Sequence, residues 1–148
     1  MIRAVALITA LWPAAVIADP DRVSILLGAR HIGGAGLEEF NPGVFVTWER
    51  RVDWSVGVYR NSYGNGSIAA TVAAPVARWR GGEAAIFGGV AWYPGTGRHE
   101  VAHVGDVVPI GGLQVRHGNA FAQFIPLDGK PVAAVVSFGL TFRLGGSD

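Results

Sequence analysis

Ala134-Val135-Val136-Ser137-Phe138-Gly139-Leu140-Thr141-Phe142-Arg143-Leu144 is the stretch whose reading decides the fold. Ala134, Val136, Phe138, Leu140, Phe142 and Leu144 form one apolar row, and Ser137, Gly139, Thr141 and Arg143 form the other. A period of two puts successive side chains on opposite faces of a strand. One face here is large and apolar; the other is small or polar. Residues 53–61 repeat the pattern, with Trp54, Val56 and Val58 against Ser55, Gly57, Tyr59 and Asn61. That pair of faces suits a membrane-spanning barrel, whose outside meets lipid and whose inside is tight and more polar.

The same alternation extends along the chain. It predicts strands at about 22–32, 43–50, 53–61, 67–79, 83–93, 107–116, 119–126 and 132–144. Short links at Arg51-Val52, Arg80-Gly81-Gly82 and His117-Gly118 alternate with longer ones at 33–42, 62–66, 94–106 and 127–131. The expected fold is all-β: an eight-stranded antiparallel up-and-down transmembrane β-barrel with both termini on the inner, periplasmic side. Trp48, Trp54 and Trp79 are expected at one rim, and Tyr63, Trp92 and Tyr93 at the other, as two interfacial girdles. A soluble lipocalin-like barrel or sandwich would instead hide its apolar rows and charge its outer face. The outward rows here carry almost no charge.

Composition agrees with this reading. The 148 residues allow one domain and contain no Cys, which excludes a disulfide framework and Cys-based metal sites. Half of the residues are hydrophobic and 16% are charged, yet no unbroken apolar span of about 20 residues lies beyond the N-terminus. The 22 glycines and 8 prolines favour frequent turns. Arg3, the apolar run Ala4–Leu11 and the small residues Val16 and Ala18 read as a signal peptide over 1–18, too short in its apolar part for an anchor. The mature barrel would be 19–148, opening at Asp19-Pro20. Without Arg3 it carries 11 basic and 11 acidic residues, so nucleic-acid binding has no electrostatic footprint.

The topology brings distant residues to one rim. The first strand ends near His31 and the third at Asn61-Ser62, both at the outer end. A His facing a Ser is a base–hydroxyl pair of the kind used in acyl transfer. Small barrels also fill their interiors with hydrogen-bonded His, Ser and Asn. The 94–106 loop brings His99 and His103 to the same side. With Glu100 between them they have the spacing of a helical metal pair, although the loop is not obviously helical and is better read as solvated. Asn65-Gly66-Ser67 matches a glycosylation sequon but reads better as a tight turn.

Tyr59-Arg60-Asn61-Ser62-Tyr63 resembles the aromatic–basic–Asp–Ser–aromatic segment of the PagP lipid A palmitoyltransferases. His31 stands where that family places its His, ahead of an Asn41-Pro42-Gly43 lead into the second strand. Pro109 and Pro126 match the spacing of two family prolines that mark gaps in strand pairing, through which lipids reach the barrel interior. The resemblance spans most of residues 22–144 but is thin per position. It departs from the family in Asn61 for Asp, in a shorter mature chain without room for an N-terminal amphipathic helix, and in Ala73 where the family's acyl pocket has a floor Gly. A methyl there would shorten the acyl chain accepted.

The resemblance implies an outer-membrane acyltransferase that moves an acyl chain from a phospholipid to lipid A or a related outer-leaflet lipid. His31 would be the base, Ser62 either the nucleophile or an oxyanion donor, and Asn61 would position His31 or the carbonyl. Tyr59, Ala73, Pro109 and Pro126 would contact substrate. Gly57, Ala69, Gly89 and Gly139 would line the chain's path. No metal or organic cofactor is expected, nor any partner beyond these lipids, the membrane and the general insertion machinery; the barrel is expected to be a monomer. The rivals are a non-enzymatic structural or interaction barrel, a soluble periplasmic lipid binder, and a lipid A deacylase, which would show a His-x-Ser segment that is absent here.

Overall fold

The computed structural model describes residues 18–145 except 101 and 130. The signal-peptide reading of 1–18 lies, save for Ala18, outside the described residues. Eight strands form in chain order: β1 (Arg22–Ile32), β2 (Gly43–Trp48), β3 (Asp53–Arg60), β4 (Gly66–Trp79), β5 (Gly82–Trp92), β6 (Val107–His117), β7 (Ala120–Pro126) and β8 (Ala134–Arg143). Each pairs antiparallel with the next, and β1 pairs with β8 to close the barrel. Closure leaves no strand at a sheet edge along its whole length, so the eight short strands satisfy most of one another's backbone groups.

The alternation works as read. Trp54, Val56 and Val58 of β3 and Phe138, Leu140 and Phe142 of β8 are exposed on the outer wall. Ile25, Val44, Ile68, Ile86, Leu113 and Phe124 extend this apolar surface over the remaining strands. Asp53, Gly57, Ser137 and Thr141 face in and are buried. Two bulges, between Leu26 and Gly28 and between Pro75 and Ala77, break the regular ladders.

Most strand ends move by one or two residues from the expected ones, and three of these shifts have local chemical reasons. β2 stops at Trp48 because Asp21 takes the Glu49 N–H at 2.8 Å and the Arg50 guanidinium at 2.7 Å. β3 stops at Arg60 because the Asn61 side chain folds the chain back on itself. β8 starts at Ala134, after Leu127 N–H has bonded Ala133 O across the last loop. The aromatic girdles also need correcting. Trp92 is exposed at the outer end, but Tyr63 and Tyr93 turn into the barrel mouth. Trp48 is covered, its indole N–H donating to Ala18 O at 2.7 Å.

The inner end is closed by charge. Arg116 contacts Asp53 at 2.5 Å, Glu49 at 3.3 Å and also Glu83. Arg22 bonds Glu49 at 2.9 Å and Thr141 at 3.2 Å. The Arg116 and Asp53 side chains are only 9% and 6% exposed, so these charges are stable there only as a network.

Candidate active site

β1 and β3 run in the same direction, and their ends bring His31 and Ser62 together. His31 Nε2 lies 2.9 Å from Ser62 Oγ. With the proton on Nδ1, the Ser62 hydroxyl donates to Nε2, so the ring is placed to take the serine proton. His31 Nδ1 is buried and has no hydrogen-bond partner, so no carboxylate orients this ring as in a complete triad.

Asn61 does not play the part expected of it. It is fully buried, and its polar atoms are committed to its own loop. Oδ1 accepts the Tyr63 N–H at 2.9 Å and the Asn65 N–H at 3.1 Å, while Nδ2 donates to Ser67 Oγ at 2.9 Å. This is an Asx turn that fixes the path of residues 61–65 and thereby holds Ser62 in place. Gly64 completes the turn with a φ of +83°, a conformation that favours glycine. Asn61 positions Ser62 through the backbone and makes no hydrogen bond to His31.

The rest of the mouth is aromatic. Tyr63 and Tyr93 pack edge to face at 6.3 Å, as do Tyr59 and Tyr93. His99 packs edge-on against Tyr63 at 5.4 Å, and the Tyr63 hydroxyl donates to Glu100 Oε1 at 2.9 Å. Burial, reinforced by this carboxylate, pushes the Tyr63 phenol well above its ordinary value, so it remains a donor. His103 Nδ1 lies 2.8 Å from Glu100 O. His99 thus reaches the rim as a packing residue, and no three metal-ligating side chains gather among the described residues.

A cavity of about 570 Å³ opens at this mouth, a volume typical of small-molecule sites. Its lining includes His31, Asn41, Ser62, Tyr63, Tyr59, Ala69 and Val108. Toward the inner end the lining becomes polar: Ser55, Thr71, Gln114, Gln123 and Ser137, then Thr47, Asp53 and Arg116. Gln123 donates to Gln114 at 2.9 Å and Ser137 to Gln123 at 3.1 Å, so part of this wall satisfies itself. Ala73 lines the cavity level with Asp53, its partner on β3, and packs with Ala85 and Phe87. The floor is the Arg116–Asp53 cluster.

The expected glycine-lined path is only partly present. Ala69 faces the cavity, whereas Gly57, Gly89 and Gly139 do not line it. The Phe45 ring lies directly over Gly57, and a Cβ at Gly139 would meet the Phe121 ring at 2.8 Å. These glycines make room for aromatic rings. Gly89 packs against the β4 backbone at Ala70 and Thr71.

The wall is not fully zipped. β6 pairs with β7 only from Leu113↔Phe124 to His117↔Ala120, although β6 continues along β5 to Val107. The unpaired outer stretch contains Pro109, and Pro126 ends β7 opposite it. Both prolines line the cavity. Proline supplies no N–H to a ladder, so the two residues sit where strand pairing is interrupted. β1 and β2 likewise pair only from Arg22 to Leu26. There the 33–42 loop closes in, with Ala29 N–H bonding Glu39 O at 2.9 Å. Gly28 permits the approach, since a Cβ would stand 2.5 Å from Glu39 O. No protein-family model matches this chain, and no curated protein matches it.

Proposed function

We propose that this chain is an outer-membrane barrel whose mouth transfers an acyl chain from a phospholipid to a hydroxyl of lipid A or a related outer-leaflet lipid. The observation that carries the reading is the 2.9 Å contact of His31 Nε2 with Ser62 Oγ at the opening of a 570 Å³ cavity. The apolar outer wall, with exposed charges such as Arg30, Arg60 and Arg78 toward the strand ends, supports a lipid surrounding, because so much exposed apolar surface on every strand would be costly in water. The β6–β7 interruption offers a lipid a lateral way in.

In this mechanism His31 Nε2 takes the Ser62 proton as Oγ attacks the ester carbonyl. The ester C–O bond breaks, the departing lysophospholipid oxygen takes the proton from His31, and the acyl group stays on Ser62. The acceptor hydroxyl then gives its proton to His31 and attacks the Ser62 ester, and Ser62 Oγ recovers the proton. The imidazole works without a carboxylate partner, which favours a slow enzyme. Purified barrel refolded in mixed micelles with phospholipid and an acceptor lipid is the test. Lysophospholipid and acylated acceptor should form with the native protein and fall by about 10²-fold or more in Ser62→Ala and His31→Ala. Equal turnover in all three would end this reading.

The second reading is a structural barrel. The mutually bonded Gln114–Gln123–Ser137 wall and the charged floor favour it, since a plain hydrocarbon chain gains little against polar groups. In that case His31 and Ser62 would be dispensable.

A further inference from the structure

Asn41 carries a polar atom that the protein leaves without a partner. The residue is 3% exposed and precedes β2, and its side chain lines the mouth of the cavity. Nδ2 donates to Arg60 O at 3.1 Å. A carbonyl can only accept, so this contact fixes which end of the amide is which. Oδ1 is therefore the other end, and it is buried with no hydrogen-bond partner. Arg60 is the last residue of β3, two positions before Ser62, so Asn41 is tied to the same strand end as the nucleophile. An unpaired buried acceptor is costly, of the order of 1–3 kcal/mol, and a bound donor would remove that cost.

We propose that Asn41 recognises the acceptor lipid through a hydrogen-bond donor next to the reacting hydroxyl; this rests on the acyl-transfer reading above. The chemistry narrows what the donor is. A phosphate oxygen, an ester carbonyl or an amine oxide has no hydrogen to offer Oδ1. The reacting hydroxyl has one hydrogen, and His31 must receive it when that oxygen attacks the Ser62 ester. The hydrogen that Asn41 accepts therefore belongs to a second group, a vicinal hydroxyl or an amide N–H. The site is built for acceptors of that class, such as the head of a glycolipid or an N-acylated amino sugar, and it discriminates against simple lipid alcohols.

The first experiment needs no catalysis. The refolded barrel, labelled at asparagine side-chain amides, is titrated with an alkyl glucoside, which has vicinal hydroxyls, or with an alkyl amine oxide, which has no donor. The glucoside should shift the Asn41 side-chain resonance and bind about tenfold more tightly than the amine oxide. Asn41→Ala should abolish the difference. Asn41→Asp keeps an acceptor oxygen but cannot donate to Arg60 O, and it should retain the preference; a purely structural role predicts that both variants behave alike. Equal response to the two detergents overturns the proposal. The second experiment compares transfer to a lipid vicinal diol with hydrolysis of the donor by water. Asn41→Ala should raise KM for the diol and lower the ratio of transfer to hydrolysis. Parallel loss of both reactions would contradict acceptor recognition. No reaction in the native barrel, with the glucoside preference intact, would remove the acyltransferase reading and leave Asn41 as a donor-binding residue.

Discussion

Replacing Arg116 by Ala tests how the inner end of the barrel is held. The guanidinium serves Asp53 at 2.5 Å, Glu49 at 3.3 Å and Glu83, with its own side chain 9% exposed. Removing it leaves three carboxylates sharing the barrel floor, with only Arg22 and Arg143 on Glu49 and the exposed Arg78 on Glu83 among the described residues. Breaking a buried ion pair from one side costs about 3–5 kcal/mol. Glu49 is 22% exposed and the cavity admits water to the cluster, so the lower figure, about 3 kcal/mol, is expected. Exposed Arg78 provides the control: its side chain is 69% exposed, and Arg78→Ala should cost roughly 0–1 kcal/mol. Urea unfolding of the refolded barrel, followed by tryptophan fluorescence, measures both. Adding Asp53→Asn and Glu83→Gln to Arg116→Ala should recover much of the loss, because neutral amides do not repel each other. If Arg116→Ala cost no more than Arg78→Ala, the view of the floor as a mutually dependent charge network would be refuted.

Asn61→Asp should fold and keep Ser62 in place, since a carboxylate accepts the same two N–H groups and the Ser67 hydroxyl can turn to donate. Asn61→Ala should cost about 2–3 kcal/mol in the same unfolding assay and reduce turnover with it, having lost three hydrogen bonds of a fully buried side chain. Gly28→Val should push Glu39 O away from β1 and raise hydrogen exchange at the Ala29 amide, with β8 protection unchanged. The Glu49 N–H, with Arg50 beside it, holds the Asp21 carboxyl below its ordinary value. A lowered folded-state pKa stabilises above the unfolded value and is lost as pH falls through the folded one. Native and Asp21→Asn barrels should therefore differ in stability near neutral pH and converge in acid.

Much of this molecule could be read from the side-chain period alone. Strands such as β3 and β8 alternate so regularly that facing, strand count and closure followed, and the parity of strand direction was enough to bring His31 to Ser62. What escaped was how each polar group is spent. Asn61 reads as a site residue because its type and place fit one; only the fold of residues 61–65 reveals that both ends of its amide are already bonded. Gly57 and Gly139 read as space, but Phe45 and Phe121, from neighbouring strands, fill it. The Arg116–Asp53–Glu83–Glu49 floor joins residues from three strands and a turn, each of which alone resembles a rim charge. The inward parity of Asp53 on β3 was the available signal. Asn41 was noticed for the proline that follows it, whereas its free acceptor atom appears only once Arg60 O is seen to fix the amide.

The most direct test of the central claim is mass spectrometry of envelope lipids from cells making the native protein, Ser62→Ala or His31→Ala, with each barrel confirmed folded in the outer membrane. Acyl transfer through the His31–Ser62 pair predicts an acceptor lipid heavier by one acyl chain, together with lysophospholipid, in the native cells alone. Identical lipid profiles in all three would contradict it and leave the pair as two hydrogen-bonded rim residues.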